Sequence, residues 1–372
     1  MKRILVILGT RPEAVKMAPV VHALRSMTTT FEVHLCSTGQ HQRMLQQILD
    51  DFDLVPDSTL NVMTANQTLA ALSARLFDAL DALLLQTTPD IILVQGDTTT
   101  VQVAALCAFY RHIPVGHVEA GLRTYNLAAP FPEEMNRRVA GMVARWHYAP
   151  TEAARQNLLR EQVDPQRIFV TGNTVVDALL MALAKTHHTP PPLPPHTEAA
   201  LCERRQIVLV TGHRRENFGE GFRHICSALA AIGRALPEAR IIYPVHLNPN
   251  VREPVFSLLH DVSNIYLEDP LPYLSFVRLM EGCTLILTDS GGIQEEAPTL
   301  GKPVLIMRSE TERPEGVEAG VNRLVGTNCA EITQETLRLL RDPAAIASMA
   351  ACKNPYGDGL AAQRIAQHLA SV

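Results

Sequence analysis

Short apolar runs alternate with segments of helical periodicity along the whole chain, and no other feature restricts its fold as strongly. The first half has six such runs, at residues 3–9, 31–38, 90–96, 114–120, 146–150 and 167–172. The second half has six more, at residues 206–212, 240–246, 264–269, 284–289, 303–307 and 323–327. Nearly continuous apolar strands separated by helices are typical of a parallel sheet covered on both faces. The pattern therefore predicts an α/β protein with parallel sheets.

A proline-rich stretch divides this pattern in two. Residues 186–198 read THHTPPPLPPHTE, and so many prolines exclude the interior of a helix or of a central strand. We expect a long excursion there, near a connection between domains. On either side, ILVILGTRPE (4–13) and IVLVTGHRRE (207–216) both run from an apolar strand into Gly-x-Arg-x-Glu. The echo predicts two similar α/β units, and residues 359–371 predict a closing helix.

Charge and cysteine usage exclude several classes of protein. The 372-residue chain has a formal net charge of −5, which argues against a nucleic-acid partner. Its seven cysteines are scattered without a CxxC pair. We therefore expect the cysteines to be small buried apolar residues, rather than zinc ligands or members of a disulfide framework. Such cysteines are typical of a reducing compartment, so we expect the protein to be cytoplasmic. Because no apolar run approaches the length of a bilayer crossing, no membrane association is expected.

Polar residues gather just after the predicted strands, where parallel sheets bind their ligands. We expect these residues to face a cleft shared by the two units. The set comprises Arg11, Glu13, Lys16, Asp97, His117, Glu119, Arg123, His213, Arg214, Asp289, Ser290 and Arg313. Structural alternatives exist for several of them. Asp97 could cap a helix, and Glu119 could pair with Arg123 along a helix turn.

The Asp-Ser-Gly-Gly sequence at 289–292 lies between an apolar run and a helical segment. Glycine lets backbone N–H groups approach a ligand, and the first N–H groups of a helix have no partner within it. With the cations of His213 and Arg313, this turn suits a diphosphate, although a serine N-cap is the structural alternative. Glu296 offers oxygens to a ribose diol or serves the helix dipole. Phe276 stacks on a base or belongs to the core.

The first half supplies carboxylates instead. They are Asp97, Glu119 and either Glu133 or Glu134 in the stretch APFPEEMNRR. Burial or nearby like charge tunes carboxyl groups toward acid–base work near neutral pH. A nucleotide on one side and carboxylates on the other predict chemistry on a group attached to a diphosphate. The sequence has no metal-binding motif, no strand-linked GxGxxG near its start and no P-loop.

A set of motifs extends this interpretation to a known family. In order from residue 8 to residue 359 the chain contains LGTRPEAVKMAPV, GDTTT, GHVEAGLRT, FPEEMNRR, GNTVVDAL, TGHRREN, DSGGIQEEAP, TERPE and NPYGDG. Over essentially its whole length it resembles the non-hydrolysing bacterial UDP-N-acetylglucosamine 2-epimerases.

The resemblance implies a glycosyltransferase-B-like fold, with two Rossmann-like domains that face a central cleft. The implied domains are an N-terminal one over 1–172 with the acid–base carboxylates and a C-terminal one over 173–352 that binds UDP. A helical segment over 353–372 would pack back on the N-terminal domain.

The resemblance also implies an activity. Such enzymes interconvert UDP-N-acetylglucosamine (UDP-GlcNAc) and UDP-N-acetylmannosamine for bacterial surface polysaccharides. They eliminate UDP to leave a 2-acetamidoglucal and then re-add it with C2 inverted. They work without a metal or nicotinamide cofactor, commonly as homodimers, and a second UDP-GlcNAc activates them.

Roles for single residues follow from the same resemblance. Catalytic roles are implied for Asp97, Glu119, Glu133 and His213. Substrate contacts are implied for Arg11, Lys16, the backbone of Leu271, Phe276, Ser290, Gly291, Gly292, Glu296 and Arg313. The activator site would involve Gln40, His41, Gln67, Arg214 and His246.

Other functions fit the same architecture. One alternative is a glycosyltransferase, since fold does not fix the reaction. Another is a non-catalytic sugar-nucleotide sensor, and a third is a hydrolysing epimerase that releases free N-acetylmannosamine.

Overall fold

The structure is a computed structural model that describes residues 1–39, 42–64 and 67–372, with residues 42–44 described by their backbone alone. The chain divides into two compact units. The first comprises residues 1–181 and 356–372, and the second comprises residues 182–355.

The first unit is built on a seven-stranded parallel sheet with the order β3-β2-β1-β4-β5-β6-β7. Its strands are β1 (Lys2–Leu8), β2 (Phe31–Ser37), β3 (Ser58–Thr59), β4 (Ile91–Gln95), β5 (Val115–Val118), β6 (Trp146–Ala149) and β7 (Ile168–Val170). Ile4 of β1 lies beside Val33 on one side and Ile91 on the other. Residues 4–8 are completely or almost completely buried, because helices cover both faces of the sheet.

Helices connect these strands and lead out of the sheet. They are α1 (Arg11–Ser26), α2 (Gln42–Asp51), α3 (Leu69–Thr87), α4 (Thr99–Tyr110), α5 (Glu133–Val143), α6 (Glu152–Arg160) and α7 (Thr174–His188). Threonine hydroxyls cap α3 and α4, where Thr68 accepts from the Ala71 N–H and Thr98 from the Val101 N–H.

The second unit contains a six-stranded parallel sheet with the order β10-β9-β8-β11-β12-β13. Its strands are β8 (Ile207–Thr211), β9 (Arg240–Pro244), β10 (Ile265–Glu268), β11 (Leu285–Thr288), β12 (Val304–Ile306) and β13 (Asn322–Leu324). The remaining helices are α8 (Pro195–Cys202), α9 (Glu220–Ala235), α10 (Pro249–Leu259), α11 (Tyr273–Gly282), α12 (Gly291–Glu296), α13 (Pro314–Glu318), α14 (Cys329–Arg341), α15 (Pro343–Ala350) and, in the first unit, α16 (Ala361–Ser371).

Both sheets reverse their strand order at the corresponding place. In the first unit the reversal lies between β1 and β4, and in the second it lies between β8 and β11. Within each unit, the two loops that follow these strands therefore lie at the point where open α/β sheets bind their ligands. They carry Arg11, Asp97, His213 and Ser290.

The prediction of two parallel sheets covered by helices is confirmed, and a strand occurs at each of the twelve apolar runs. The proline-rich excursion is shorter than expected. Residues 186–188 still belong to α7, and Pro195 begins α8, because proline is tolerated in a first helical turn. The proline segment packs against α11, where Arg278 donates to the Pro191 carbonyl and binds Glu198 at 2.6 Å.

Within the described ranges, no helix is both long enough and apolar enough to cross a membrane.

Candidate active site

A buried carboxylate joins the two loops at the reversal point of the first unit. Glu13 is the third residue of α1 and is 2% exposed. Its Oε2 accepts from the backbone N–H of Gly9 at 3.0 Å and of Thr10 at 2.5 Å. Its Oε1 accepts from Thr98 Oγ1 at 2.8 Å. Burial outweighs these hydrogen bonds and raises the pKa of Glu13 to about 7.

Asp97 stands next to Thr98, between β4 and α4. Its carboxylate forms an ion pair with Arg137 of α5 at 2.8 Å, and Asn136 donates to its backbone carbonyl at 2.9 Å. Withdrawal from water raises the pKa of Asp97 to about 6. The positive charge of Arg137 opposes this shift, while the negative charge of Glu119 adds to it.

Glu119 follows β5 and is 7% exposed. Lys16 of α1 donates to both of its carboxylate oxygens, at 2.7 and 2.6 Å, and Gln95 also donates to Oε2. The backbone of Glu119 has a φ of 61°, a conformation that non-glycine residues rarely adopt. The side chain is therefore held from several sides at a strained turn.

The two neighbouring glutamates of α5 differ in their partners. Glu134 is fully buried and accepts from the backbone N–H groups of Thr124 and Tyr125, so it holds that loop in place. Glu133 is partly exposed, and its charge contributes to the raised pKa of Asp97. Of the two alternatives, Glu133 is the one whose charge acts on Asp97.

His117 of β5 supports the same turn. It is 1% exposed, and its Nε2 lies 2.7 Å from the Gly96 carbonyl oxygen, so Nε2 carries the proton and donates. Burial lowers the pKa of His117 to about 4. The neutral imidazole therefore fixes the glycine that precedes Asp97, where φ is +80°.

The remaining predicted site residues of the first unit are Arg11, Gln67, Gln40 and His41. Arg11 is the first residue of α1 and is half-buried. The Oε1 of Gln67 accepts from the Thr64 N–H at 3.2 Å and from the guanidinium of Arg75 on α3. Gln40 and His41 lie outside the described residues.

The double-glycine turn of the second unit begins α12. An arginine side chain lies so close to the first of these glycines that it leaves no room for a Cβ atom. A Cβ added to Gly291 would lie 2.8 Å from Cζ and Nη1 of Arg313, so the guanidinium lies directly over the turn. Glu295 orients this guanidinium through a 2.7 Å bond to Nε. Ser290 occupies the N-cap position, but its side chain makes no capping hydrogen bond. A cation and a helix N-terminus are thus brought together at Ser290, Gly291 and Gly292.

A second buried carboxylate joins the loops at the reversal point of this unit. Asp289 is fully buried and accepts from the backbone N–H groups of His213 and Arg214 at 3.0 and 2.9 Å. Asn217 also donates to it at 3.1 Å. Asp289 therefore holds the His213 loop against the Ser290 loop.

His213 lies against a second imidazole. Its ring stacks on that of His246 with centroids 5.5 Å apart, and its Nδ1 lies 3.6 Å from Asp289 Oδ1. Partial burial lowers the pKa of His213, and the negative charge of Asp289 opposes this effect.

The predicted nucleoside contacts lie along α11 and α12. Tyr273 donates to Glu296 Oε1 at 3.1 Å, so this carboxylate is anchored on one side. Phe276 is half-buried on α11, and Leu271, also half-buried, precedes that helix.

The structure decides several alternatives that the sequence left open. Thr98, not Asp97, caps α4. Arg123 pairs with Glu161 at 2.8 Å instead of Glu119. Sequence reasoning missed Gln95 and Arg137. The polar end of the apolar stretch IILVQ signalled Gln95, and the three-residue spacing from Glu134, with which it pairs at 3.7 Å, signalled Arg137.

Across the described parts of the chain, no group of three or more His, Cys, Asp and Glu side chains is arranged to hold a metal ion.

Comparison with known proteins places this geometry in context. The family model for UDP-N-acetylglucosamine 2-epimerase matches residues 22–370. The chain is 53% identical over 374 residues to the UDP-N-acetylglucosamine 2-epimerase of Yersinia pestis, covering 99% of this chain and 98% of the relative.

Two solved structures are similar over their full lengths. The Neisseria meningitidis UDP-GlcNAc 2-epimerase bound to UDP-GlcNAc is 45% identical, with a TM-score of 0.92 and 100% of each chain covered. The Methanocaldococcus jannaschii UDP-GlcNAc 2-epimerase in complex with UDP-GlcNAc and UDP is 33% identical, with a TM-score of 0.82 and 100% of each chain covered.

Proposed function

Because the chain belongs to the UDP-N-acetylglucosamine 2-epimerase family, we propose that it inverts C2 of UDP-GlcNAc by eliminating and re-adding UDP. The family resemblance and the glycosyltransferase-B-like α/β fold are confirmed by these relatives. The enzyme is an isomerase, and the elimination route and the roles of single residues form the proposal.

The carboxylate cluster of the first unit carries this proposal. The charges of Glu119 and Glu133 both raise the pKa of Asp97, and Lys16 forms an ion pair with Glu119. With a pKa of about 6, Asp97 can hold or release a proton near neutral pH. Inversion at C2 needs a proton removed on one face and returned on the other, so it requires at least two such groups.

The reaction balances without an oxidant or reductant. A carboxylate takes the C2 proton, and the C–H electron pair forms the C1–C2 double bond of the glucal. The C1–O electron pair leaves with UDP. In the return step UDP adds to C1 while a second acid donates a proton to the opposite face of C2.

The second unit stabilises the departing diphosphate. Arg313 supplies a fixed cation over the first turn of α12, and His213 lies on the neighbouring loop that Asp289 holds. Charge grows on UDP as the C1–O bond breaks, so donors placed in advance lower the barrier. Glu296, Phe276 and Leu271 bind the nucleoside, and Arg11 of the first unit also contacts the substrate. In this proposal the acid–base domain spans 1–172 and the UDP-binding domain spans 173–352.

Further parts of the proposal concern regulation and setting. A second UDP-GlcNAc binds at Gln40, His41, Gln67, Arg214 and His246 and activates the enzyme. The stacking of His246 on His213 supports a route between this site and the proposed catalytic histidine. The enzyme works in the cytoplasm and supplies bacterial surface polysaccharide synthesis.

A homodimer is also part of the proposal. Large apolar side chains remain more than half exposed on the neighbouring helices α3, α4 and α5. They are Leu85, Phe109, Tyr110 and Met142. Light scattering of the purified protein tests this assembly, and a monomeric mass at micromolar concentration contradicts it.

Incubation with UDP-GlcNAc alone tests the proposed activity. Proton NMR should show UDP-N-acetylmannosamine without any acceptor sugar. Substrate with ¹⁸O in the C1–O–phosphate bridge should also scramble its label into non-bridging positions, because elimination frees the β-phosphate to rotate. A transferase requires an acceptor, a sensor leaves the substrate unchanged, and a hydrolase releases free N-acetylmannosamine.

A further inference from the structure

The reversal point of the first sheet contains a buried group to which the mechanism above gives no role. Glu13 lies in α1 after β1, and Thr98 lies after β4, the adjacent strand. The carboxylate of Glu13 binds the backbone of its own loop through Oε2 and the Thr98 hydroxyl through Oε1. One side chain thus joins the loop of Arg11 to the loop of Asp97.

Helix capping explains only half of this arrangement. The Thr10 N–H donates to Glu13 Oε2, and the Thr10 side chain accepts from the backbone N–H of Glu13. These two bonds form a capping box for α1. The bond from Thr98 to Oε1 contributes nothing to that box. A capping glutamate also works at the surface, whereas Glu13 is buried and its pKa is raised by that burial.

Thr98 is held in place by two bonds at once. Its hydroxyl donates to Glu13 and accepts from the Val101 N–H at 3.3 Å, which caps α4. Asp97 is the adjacent residue, and its other contacts are Asn136 on the backbone and Arg137 on the side chain. The Thr98 bond to Glu13 therefore holds the residue that directly follows Asp97.

The second unit also has a buried carboxylate at its reversal point, although it lies on the other loop of the pair. Asp289 follows β11 and binds the backbone of the loop after β8, whereas Glu13 follows β1 and binds Thr98 in the loop after β4. A buried carboxylate thus bridges the two loops at each reversal point, and in each unit one of the bridged loops carries a proposed catalytic residue.

We propose that Glu13 is a positioning residue, which holds Asp97 in its reactive place through the Thr98 hydroxyl. This role rests on the proposed function, because Asp97 is catalytic only there. A displacement of 1 Å at a reacting group costs up to about a hundredfold in rate, so a bond of this kind affects turnover more than binding.

Matched variants at Thr98 test this role. Thr98→Val removes the hydroxyl while it keeps the shape, Thr98→Ser keeps the hydroxyl, and Thr68→Val removes an equivalent threonine cap from α3. We expect Thr98→Val to lower kcat by about tenfold or more with KM within about twofold. Exchange of the C2 proton with D₂O should slow by the same factor. Thr98→Ser and Thr68→Val should stay near the wild type.

A second pair of variants, at Glu13, tests the same role without changing Thr98, so the result does not depend on whether the Thr98 variants fold correctly. Glu13→Gln retains an oxygen for the backbone and an N–H for the Thr98 oxygen, so it should keep most of kcat, whereas Glu13→Ala should lose it as Thr98→Val does. Equal kcat for Thr98→Val and Thr68→Val, or for Glu13→Ala and Glu13→Gln, would overturn the positioning role alone. Absence of C2 exchange in the wild type would overturn the proposed function as well.

Discussion

Lys16 Nζ lies 2.7 Å from Oε1 and 2.6 Å from Oε2 of Glu119, so one ammonium group faces both oxygens of a buried carboxylate. The side chains of Lys16 and Glu119 are only 13% and 4% exposed. Water therefore screens this pair little, and the two charges depend on each other. Glu119 also occupies a left-handed backbone conformation, so the pair helps to hold a strained turn beside the proposed acid–base residues.

Removal of one partner should destabilise the first unit. Lys16→Met leaves the Glu119 carboxylate buried without its cation, and we expect the free energy of unfolding to fall by about 3 kcal/mol. Urea denaturation followed by circular dichroism measures this change. Arg25→Met is the control. Arg25 lies on the same helix as Lys16, and its ion pair with Asp57 is more exposed, so its loss should cost less than about 1 kcal/mol.

The double variant Lys16→Met/Glu119→Gln separates the effect of the charge pair on stability from the effect of changed side-chain packing. With both charges gone, we expect it to regain part of the loss, so that the two effects are clearly non-additive. Strict additivity would show that the contact between Lys16 and Glu119 contributes no coupling.

Arg137→Gln should shift a pH profile in a defined direction. Arg137 lowers the pKa of Asp97 against the effect of burial, so its removal raises that pKa further. Whichever limb of the kcat profile Asp97 sets should move to higher pH by roughly one pH unit. Arg138→Gln, the neighbouring change on α5 at a residue paired with Glu161, should leave the limb in place. If neither variant shifts a limb of the kcat profile, Asp97 is not the group whose titration sets that limb.

Gly291→Ala should weaken the binding of UDP. The new methyl group would lie within 3 Å of the Arg313 guanidinium, which must then move from its place over the turn. We expect a loss of roughly tenfold or more in UDP affinity by calorimetry, similar to that of Arg313→Ala. Gly221→Ala on α9 has room for its methyl group, so it should bind UDP as the wild type does. Unchanged UDP affinity in Arg313→Ala would exclude its role as a phosphate ligand.

Glu13 should make stability depend on pH. Its pKa is raised from 4.5 to about 7, so the folded state keeps this proton to higher pH than the unfolded state. The stabilising contribution is complete below about pH 4.5 and is lost as the pH rises through about 7. The amide of Glu13→Gln does not titrate. The wild type should therefore lose stability relative to Glu13→Gln between pH 5 and pH 8.5, by up to about 3 kcal/mol.

Thermal unfolding of both proteins across this range measures the difference. A constant difference between them would mean that the Glu13 carboxyl keeps an ordinary pKa in the folded protein.

Strand positions were predictable from the sequence because buried parallel strands are apolar on both faces. β3 was not, since Ser58 and Thr59 form only a two-residue edge strand with no apolar signal. The start of α8 at Pro195 was also missed, because the sequence around a proline in a first helical turn resembles that around a proline in a loop.

The site was predictable only in part, for a physical reason. Strand ends identify which polar residues gather at a sheet edge, and so they indicate Asp97, Glu119 and Ser290. They do not identify which side chain binds which. The contact of Arg313 with Gly291 and the contact of Thr98 with Glu13 join residues far apart in sequence, so only the fold brings them together.

The most direct measurement is proton NMR of UDP-GlcNAc with the enzyme in D₂O. The account predicts that the wild type forms the manno isomer and places solvent deuterium at C2. It predicts that Asp97→Asn and Glu119→Gln slow both processes by orders of magnitude while they still bind UDP. Formation of the manno isomer with its original C2 proton intact, or near-normal turnover in both variants, would contradict the role of these carboxylates.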